Sequence, residues 1–77
     1  MIYRQLLREA ENVLRKNFLN NNVSLDVEIL LAKTLNKSRE HIIINQDTIV
    51  KPHQIKNFRE LLKLRCKKTP IAQILGY

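Results

Sequence analysis

Residues 24–36, SLDVEILLAKTLN, decide the fold, because a helix built from them has almost no face that favours water. At about 100° per residue, the apolar side chains spread around most of the helical wheel, and only Asp26 and Lys33 form a clearly polar strip. The apolar residues are Leu25, Val27, Ile29, Leu30, Leu31, Ala32 and Leu35. Since a helix that is apolar on nearly every side has to be surrounded, we expect 24–36 to be a central helix on which the other elements pack.

Capping residues predict both ends of this helix. Ser24 is a good N-cap, since its hydroxyl can accept a hydrogen bond from a backbone N–H of the first turn. Asp26 and Glu28 place negative charge at the positive end of the helix dipole. Asn36 can adopt the left-handed conformation that commonly ends a helix.

Two more helices are predicted on either side of it in the chain. Residues 2–18 repeat apolar side chains at steps of three and four, which is typical of an amphipathic helix of about 16 to 18 residues. The asparagines at 20–22 end it. Ser38 is an N-cap for a short helix over 38–45, because a lone strand there would have no partner. The isoleucines at 42–44 suit a core better than a nucleic-acid groove.

The C-terminal third predicts two further helices. Pro52 suits the first turn of a long helix over 52–68, although Lys51 is a poor N-cap before it. Its inner face is formed by Ile55, Phe58, Leu62 and Cys66, with Leu61 beside them. Pro70 opens a last short helix, IAQIL, which Gly76 ends. We therefore expect an all-α fold, a small bundle of about five helices around the central apolar helix.

Length and composition set limits on the protein class. A chain of 77 residues allows one domain with a stability of a few kcal/mol. The single cysteine excludes an internal disulfide, and no apolar run approaches the roughly 18 residues of a membrane span. The N-terminus lacks the apolar core and cleavage site of a signal peptide. We expect a cytoplasmic protein that does not enter a membrane.

The formal net charge is +7, and it is concentrated near the C-terminus. Residues 51–68 carry seven Lys and Arg against Glu60 alone. One row of the long helix is basic and is the best candidate binding surface: Lys56, Arg59, Lys63 and Lys67. The row is either an ordinary solvated helix face, with the basicity reflecting a composition rich in Lys, Asn and Ile, or a contact for an acidic partner, protein or phosphate backbone.

The sequence argues against nucleotide-binding, metal and nucleophilic sites. One glycine, Gly76, cannot build a phosphate-cradling or dinucleotide-binding loop, which needs several glycines at fixed spacing. His41 and His53 are not spaced as a metal pair and are expected at the surface or rim. Cys66 is expected to be a small core residue and not a nucleophile. We expect no catalytic, cofactor or metal site in these residues.

The central helix, the turn at 36–37 and the following short helix also match helix-turn-helix spacing. Arg39 and His41 would then have to read bases. Together with the basic row, this keeps a freestanding nucleic-acid-binding module as the alternative function.

Three stretches in order resemble the N-terminal domain of the HemK/PrmC family, the release factor glutamine methyltransferases. They are SLDVEILLAKTLNKSREHI at 24–42, IVKPHQIKNFRELLKLRCKKTPIAQ at 49–73, and ILGY at 74–77. The resemblance covers about residues 25–77, and the order and spacing of the motifs carry it. Three positions depart from the family pattern: Asn36 and Lys51 stand where glycine and a serine cap are usual, and Gln73 where tyrosine is common.

The resemblance implies a function that the residues alone do not. Family members use S-adenosylmethionine to methylate the glutamine amide of the Gly-Gly-Gln motif in class I peptide-chain release factors. Residues 1–77 would be the N-terminal domain that binds and orients the release factor, with Lys56, Arg59, Lys63 and Lys67 as its contact face. A catalytic domain with a glycine-rich cofactor loop and an Asn-Pro-Pro-Tyr motif would follow in the same chain. The domain junction would then be Ile74, Leu75, Gly76 and Tyr77.

Overall fold

A computed structural model describes residues 1–17 and 22–76 of the chain. This part of the chain contains five helices and no β-strand, which confirms the all-α prediction. The helices are Tyr3–Arg15 (α1), Val23–Leu35 (α2), Arg39–Ile44 (α3), Pro52–Cys66 (α4) and Ile71–Leu75 (α5). The bundle measures 28 × 24 × 22 Å.

Helix α2 lies at the centre of the bundle, as its apolar wheel predicts. It contacts each of the other four helices. Val27, Leu30 and Leu31 are at most 1% exposed, and they pack with Leu14 of α1 and Phe58 of α4 in one core. Burial of these side chains supplies the main stabilising free energy, since full burial of a large aliphatic or aromatic side chain contributes about 1.5–3 kcal/mol.

The predicted N-cap of the central helix is wrong. Helix α2 starts at Val23 with Asn22 as its N-cap, so Ser24 lies inside the first turn. The cause is tertiary packing: Val23 is 2% exposed and is drawn into the core, which extends the helix backwards. The Ser24 hydroxyl donates instead to the carboxylate of Glu11 on α1.

The C-terminal ends of α2 and α4 use the same left-handed turn. Asn36 has φ 56°, and Lys37 N–H donates to the carbonyl of Ala32 at 3.0 Å, which confirms Asn36 as the terminating residue. At the end of α4, Lys68 has φ 65°, and Thr69 N–H donates to Leu64 O at 3.2 Å. Gly76, with φ 88°, ends α5 as predicted.

The first turns of α3 and α4 are capped differently. Ser38 accepts a hydrogen bond from the backbone N–H of His41 at 3.1 Å, as expected of an N-cap. Lys51 offers no side-chain cap, but the Gln54 side chain accepts from the Lys51 backbone N–H at 2.9 Å. The glutamine therefore replaces part of what a serine at 51 would supply.

The isoleucines of α3 are only partly buried. Ile42 is fully buried, whereas Ile43 is 47% and Ile44 78% exposed. A six-residue helix on the outside of the bundle turns one narrow face to the core, and successive residues point about 100° apart, so only one of three can be covered.

Helix α1 is shorter than predicted and is held at its start by the loop before α4. It ends at Arg15, and Phe18 and the asparagines at 20 and 21 lie outside the described residues. Tyr3 N–H donates to Thr48 O at 3.0 Å, and Val50 N–H donates to Met1 O at 2.8 Å. These bonds place the starts of α1 and α4 side by side.

Candidate functional site

The basic row predicted on the long helix lies on the outer face of α4, with its last member, Lys67, at the C-cap. Lys56, Arg59, Lys63 and Lys67 follow each other at steps of three or four residues and are all exposed. Phe58 and Leu62, on the opposite side of the helix, are 0% and 8% exposed and anchor α4 in the core. Burial of Phe58 and Leu62 therefore fixes the orientation of α4 and leaves the cations facing solvent.

Three of the four cations have no partner within the described part of the chain. Lys56, Lys63 and Lys67 make no side-chain hydrogen bond or ion pair to any residue in 1–17 or 22–76. Arg59 alone is paired, by contacts of 3.1 and 3.3 Å from Nη2 to the two carboxylate oxygens of Glu9 on α1. Both side chains of that pair are about half exposed, so water competes for it.

An open groove of 590 Å³ runs along the row. Its lining combines an apolar part with charged side chains: Pro52, Ile55, Lys56, Arg59, Glu60 and Lys63. Ile55 is half-buried against the core and Pro52 is exposed, so two apolar side chains lie beside the cations in the lining. The sequence predicts the cations, but the groove that they share with Pro52 and Ile55 appears only in the structure.

Not every base in residues 51–68 belongs to this surface. Arg65 points inward and contacts Asp26 of α2 through Nε and Nη2, each 3.1 Å from Oδ2. Its Nη1 donates to Thr69 O at 3.1 Å, which ties the turn after α4 to α2. Lys68 Nζ donates to Asn17 O at 2.8 Å.

Sequence reasoning missed the Asp26–Arg65 pair because it placed Asp26 on the polar strip of the central helix. Asp26 is instead 7% exposed. A signal was available in the spacing: Asp26 is three residues after Val23 and four before Leu30, and both of these are buried. Arg65 is likewise seven residues after Phe58, two helical turns along the same face.

The predicted junction residues fall on and after α5. Ile74 packs partly against the core, as does Ile71, while Leu75 is half-buried and Gly76 is exposed. Tyr77 lies outside the described residues. The apolar face of α5 is therefore partly covered by α2 and α4, which it contacts.

The two histidines and the cysteine occupy the places expected of them. His41 is half-buried, with Nε2 3.3 Å from the Tyr3 hydroxyl and Nδ1 3.3 Å from the Asn45 amide nitrogen, and His53 is exposed. Cys66 packs partly against the core, and burial raises the pKa of its thiol, which disfavours the nucleophilic thiolate. Within 1–17 and 22–76, no three His, Cys, Asp or Glu side chains are grouped as metal ligands would be.

The side chains that would read bases in a helix-turn-helix are engaged elsewhere. Arg39 Nη2 lies 3.1 Å from Glu28 Oε1 on α2, and His41 makes the Tyr3 and Asn45 contacts described above. The exposed remainder of α3 is apolar at Ile43 and Ile44. This arrangement favours the α4 surface over α3 as the functional site.

None of the helices in the described part of the chain combines the length and the hydropathy that crossing a bilayer requires. No solved structure matches the chain significantly. Its similarity to known proteins is at the level of sequence.

Sequence comparison identifies methyltransferases as relatives. A release factor glutamine methyltransferase of Pasteurella multocida is 36% identical over 80 residues, which cover 99% of this chain and 26% of that protein. A bifunctional methyltransferase of Rickettsia felis is 36% identical over 73 residues, 95% of this chain and 14% of that protein. The chain thus spans about a quarter or less of these relatives' length. The family model described as the PrmC N-terminal domain matches residues 5–76. The chain therefore belongs to the PrmC N-terminal domain family.

Proposed function

We propose that this bundle is the substrate-recognition domain of a release factor glutamine methyltransferase. In this proposal it binds a class I peptide-chain release factor and holds it before a catalytic domain that follows residue 77 in the same chain. The observation that carries the proposal is the family match over residues 5–76, together with a row of exposed cations on α4. The matched relatives are four to seven times longer than the aligned region, which supports a further domain in the parent protein.

The division of labour follows from the chemistry of the reaction. A methyltransferase needs a pocket for S-adenosylmethionine and for one glutamine side chain, and such a pocket contacts little of a large protein substrate. A separate surface that binds the substrate elsewhere supplies affinity and orientation. In the proposed parent protein, the catalytic domain binds the cofactor, residues 1–77 bind the release factor, and the reaction takes place in the cytoplasm.

The basic row is the proposed contact face, and Ile74 to Gly76, with Tyr77, form the proposed junction with the catalytic domain. Lys56, Lys63 and Lys67 project into solvent from a helix whose other side is fixed in the core. Exposed cations on a rigid helix can meet an acidic surface without an ordering cost to the backbone, and they accelerate the encounter with it.

Charge reversal in the parent methyltransferase tests this proposal. Lys56→Glu combined with Lys63→Glu is expected to raise KM for the release factor about tenfold, since each lost contact and new repulsion costs about 0.7 kcal/mol at an exposed site, about 1.4 kcal/mol for the two, while kcat changes little. The measurement is steady-state methyl transfer at fixed ionic strength. Thermal unfolding of residues 1–77 carrying the same changes should stay close to that of the unmodified chain.

The matched control reverses two exposed lysines that lie off α4. Lys16→Glu with Lys37→Glu changes the net charge by the same amount and leaves the row intact. Equal KM values for the two double variants would show that only net charge matters and would remove the row from the interface.

The alternative is a freestanding nucleic-acid-binding module, favoured by the same unpaired cations and the net charge of +7. It predicts binding to an oligonucleotide whose affinity falls with salt at a logarithmic slope of about 0.7–0.9 per phosphate contacted. A purely structural role predicts a third result: deletion of residues 1–77 would reduce solubility of the parent protein and leave its KM for the release factor unchanged.

A further inference from the structure

The groove along α4 has a composition that selects among acidic partners. Its lining includes Lys56 and Lys63, each without a side-chain partner in the described part of the chain, and two apolar residues, the exposed Pro52 and the half-buried Ile55. A ligand that matches both parts must bring carboxylates and an aliphatic group together. Acidic peptide segments with one apolar side chain have this composition.

The Arg59–Glu9 pair shows how this surface already binds a carboxylate. Arg59 Nη2 lies 3.1 and 3.3 Å from the two oxygens of Glu9, whose side chain reaches across from α1. The two side chains are 53% and 44% exposed, so the pair can exchange with a carboxylate from outside at little cost in stability. Glu9 thereby occupies the position that a partner's carboxylate would take.

The same lining is unfavourable for nucleic acid. None of the six lining residues is aromatic, and Phe58 on the same helix is fully buried. Single-stranded nucleic acids bind largely by stacking bases on exposed aromatic side chains, which this groove does not offer.

We infer that the α4 groove binds a short acidic segment of a protein partner, with an aliphatic side chain on Pro52 and Ile55 and a carboxylate that displaces Glu9 from Arg59. The inference deepens the proposed function, on which the identity of the partner as a release factor rests. It adds the chemistry of the recognised segment. It also names Glu9 as an internal competitor, which lowers the affinity for partners that offer no carboxylate to Arg59.

The test uses the 77-residue chain, labelled with nitrogen-15, and a synthetic acidic peptide with one central leucine. Amide shift changes in the nuclear magnetic resonance spectrum are expected to concentrate on 52–63 and to weaken when the leucine is replaced by alanine. A single-stranded oligonucleotide of equal charge is the competing probe. The inference is overturned if the peptide produces no localised shifts at millimolar concentration, or if the oligonucleotide binds the same amides as tightly.

Displacement of Glu9 is tested by comparing two isosteric changes. Glu9→Gln frees Arg59 and is expected to tighten peptide binding about two- to fivefold, the range set by an exposed ion pair. Glu60→Gln changes the same charge in the groove lining without touching Arg59, so it reports the general electrostatic effect alone. In a chain that already carries Arg59→Gln, Glu9→Gln should tighten peptide binding no more than Glu60→Gln does. Equal effects of the two changes in the unmodified chain would refute displacement.

A separate titration with an unlabelled class I release factor keeps the two proposals apart. If the release factor does not bind but the peptide does, the proposed function fails and the groove chemistry stands. If the release factor binds with shifts outside 52–63, the proposed function stands and the groove is not its site.

Discussion

Two arginines of α4 contact carboxylates at the same distance in opposite surroundings. Arg65 lies 3.1 Å from Asp26, and the two side chains are only 17% and 11% exposed. Arg59 also lies 3.1 Å from its partner, Glu9, but those side chains are 53% and 44% exposed. Water and salt compete strongly for the exposed pair and hardly reach the buried one. Equal geometry therefore gives unequal roles: Arg65 belongs to the fold, and Arg59 can exchange its partner.

The position along α4 causes this difference. Arg65 follows Phe58 by seven residues and so turns toward α2, where it also holds the Thr69 carbonyl. Arg59 is the neighbour of Phe58 and points about 100° away from it, toward solvent and the edge of α1. One helix thus contributes a structural contact with its inner face and a binding surface with its outer face.

The largest predicted effect comes from breaking the buried pair on one side only. Asp26→Asn removes the carboxylate that the largely buried Arg65 guanidinium contacts at 3.1 Å, which is expected to cost about 3 kcal/mol of unfolding free energy. For a domain of this size, this loss is most of the total unfolding free energy. Urea unfolding followed by far-ultraviolet circular dichroism measures the loss.

Glu9→Gln is the matched control for this change, because it removes the same charge from an arginine pair of the same length. It should cost less than about 1 kcal/mol. If the two variants lose similar stability, the contrast between the buried and the exposed pair is wrong.

The sequence predicts the elements of this fold better than their contacts. Apolar periodicity and local caps act within a few residues, so Asn36, Ser38, Pro52 and Gly76 mark helix ends that the structure confirms. Ser24 fails as a cap because burial of Val23, a tertiary effect, moves the start of α2 back by two residues and outweighs the local preference.

The two arginine pairs could not be assigned from local patterns. Asp26 and Arg65 are 39 residues apart, and Arg59 and Glu9 are 50 apart, so each pair depends on how two helices pack. The cation row is visible in the sequence because it needs only the period of one helix. Which of its members is already paired depends on α1, and how far the neighbouring Ile55 is buried depends on the core.

A smaller effect is expected when both members of the buried pair are replaced. Asp26→Leu with Arg65→Met removes the two charges together and fills similar volume, so no uncompensated charge remains. The Thr69 carbonyl loses one donor, but Thr69 is half-exposed and water can replace it. Stability within about 1.5 kcal/mol of the unmodified chain, and well above that of Asp26→Asn, is expected in the same urea experiment. A double variant as unstable as the single one would mean that the pair contributes through its geometry and not through the cost of a lone charge.

The smallest effect is expected at Cys66, which follows Arg65 and reports on the buried side of α4. Burial raises the pKa of its thiol, so near pH 8, just below the ordinary thiol pKa of about 8.5, less thiolate forms in the folded chain than in the unfolded one. Because the thiolate is the reacting species, iodoacetamide should alkylate Cys66 several-fold more slowly in buffer than in denaturing urea. Because the pKa of Cys66 is higher in the folded chain, the unfolded chain ionises first as pH rises. The thiol's contribution to stability is therefore present below the ordinary thiol pKa and is lost as pH rises above it. Mass spectrometry gives the alkylation rate. Asp26→Asn should accelerate alkylation by loosening the α2–α4 contact, whereas Glu9→Gln should leave the alkylation rate unchanged. Acceleration by both variants would mean that the exposed Arg59–Glu9 pair also stabilises the fold.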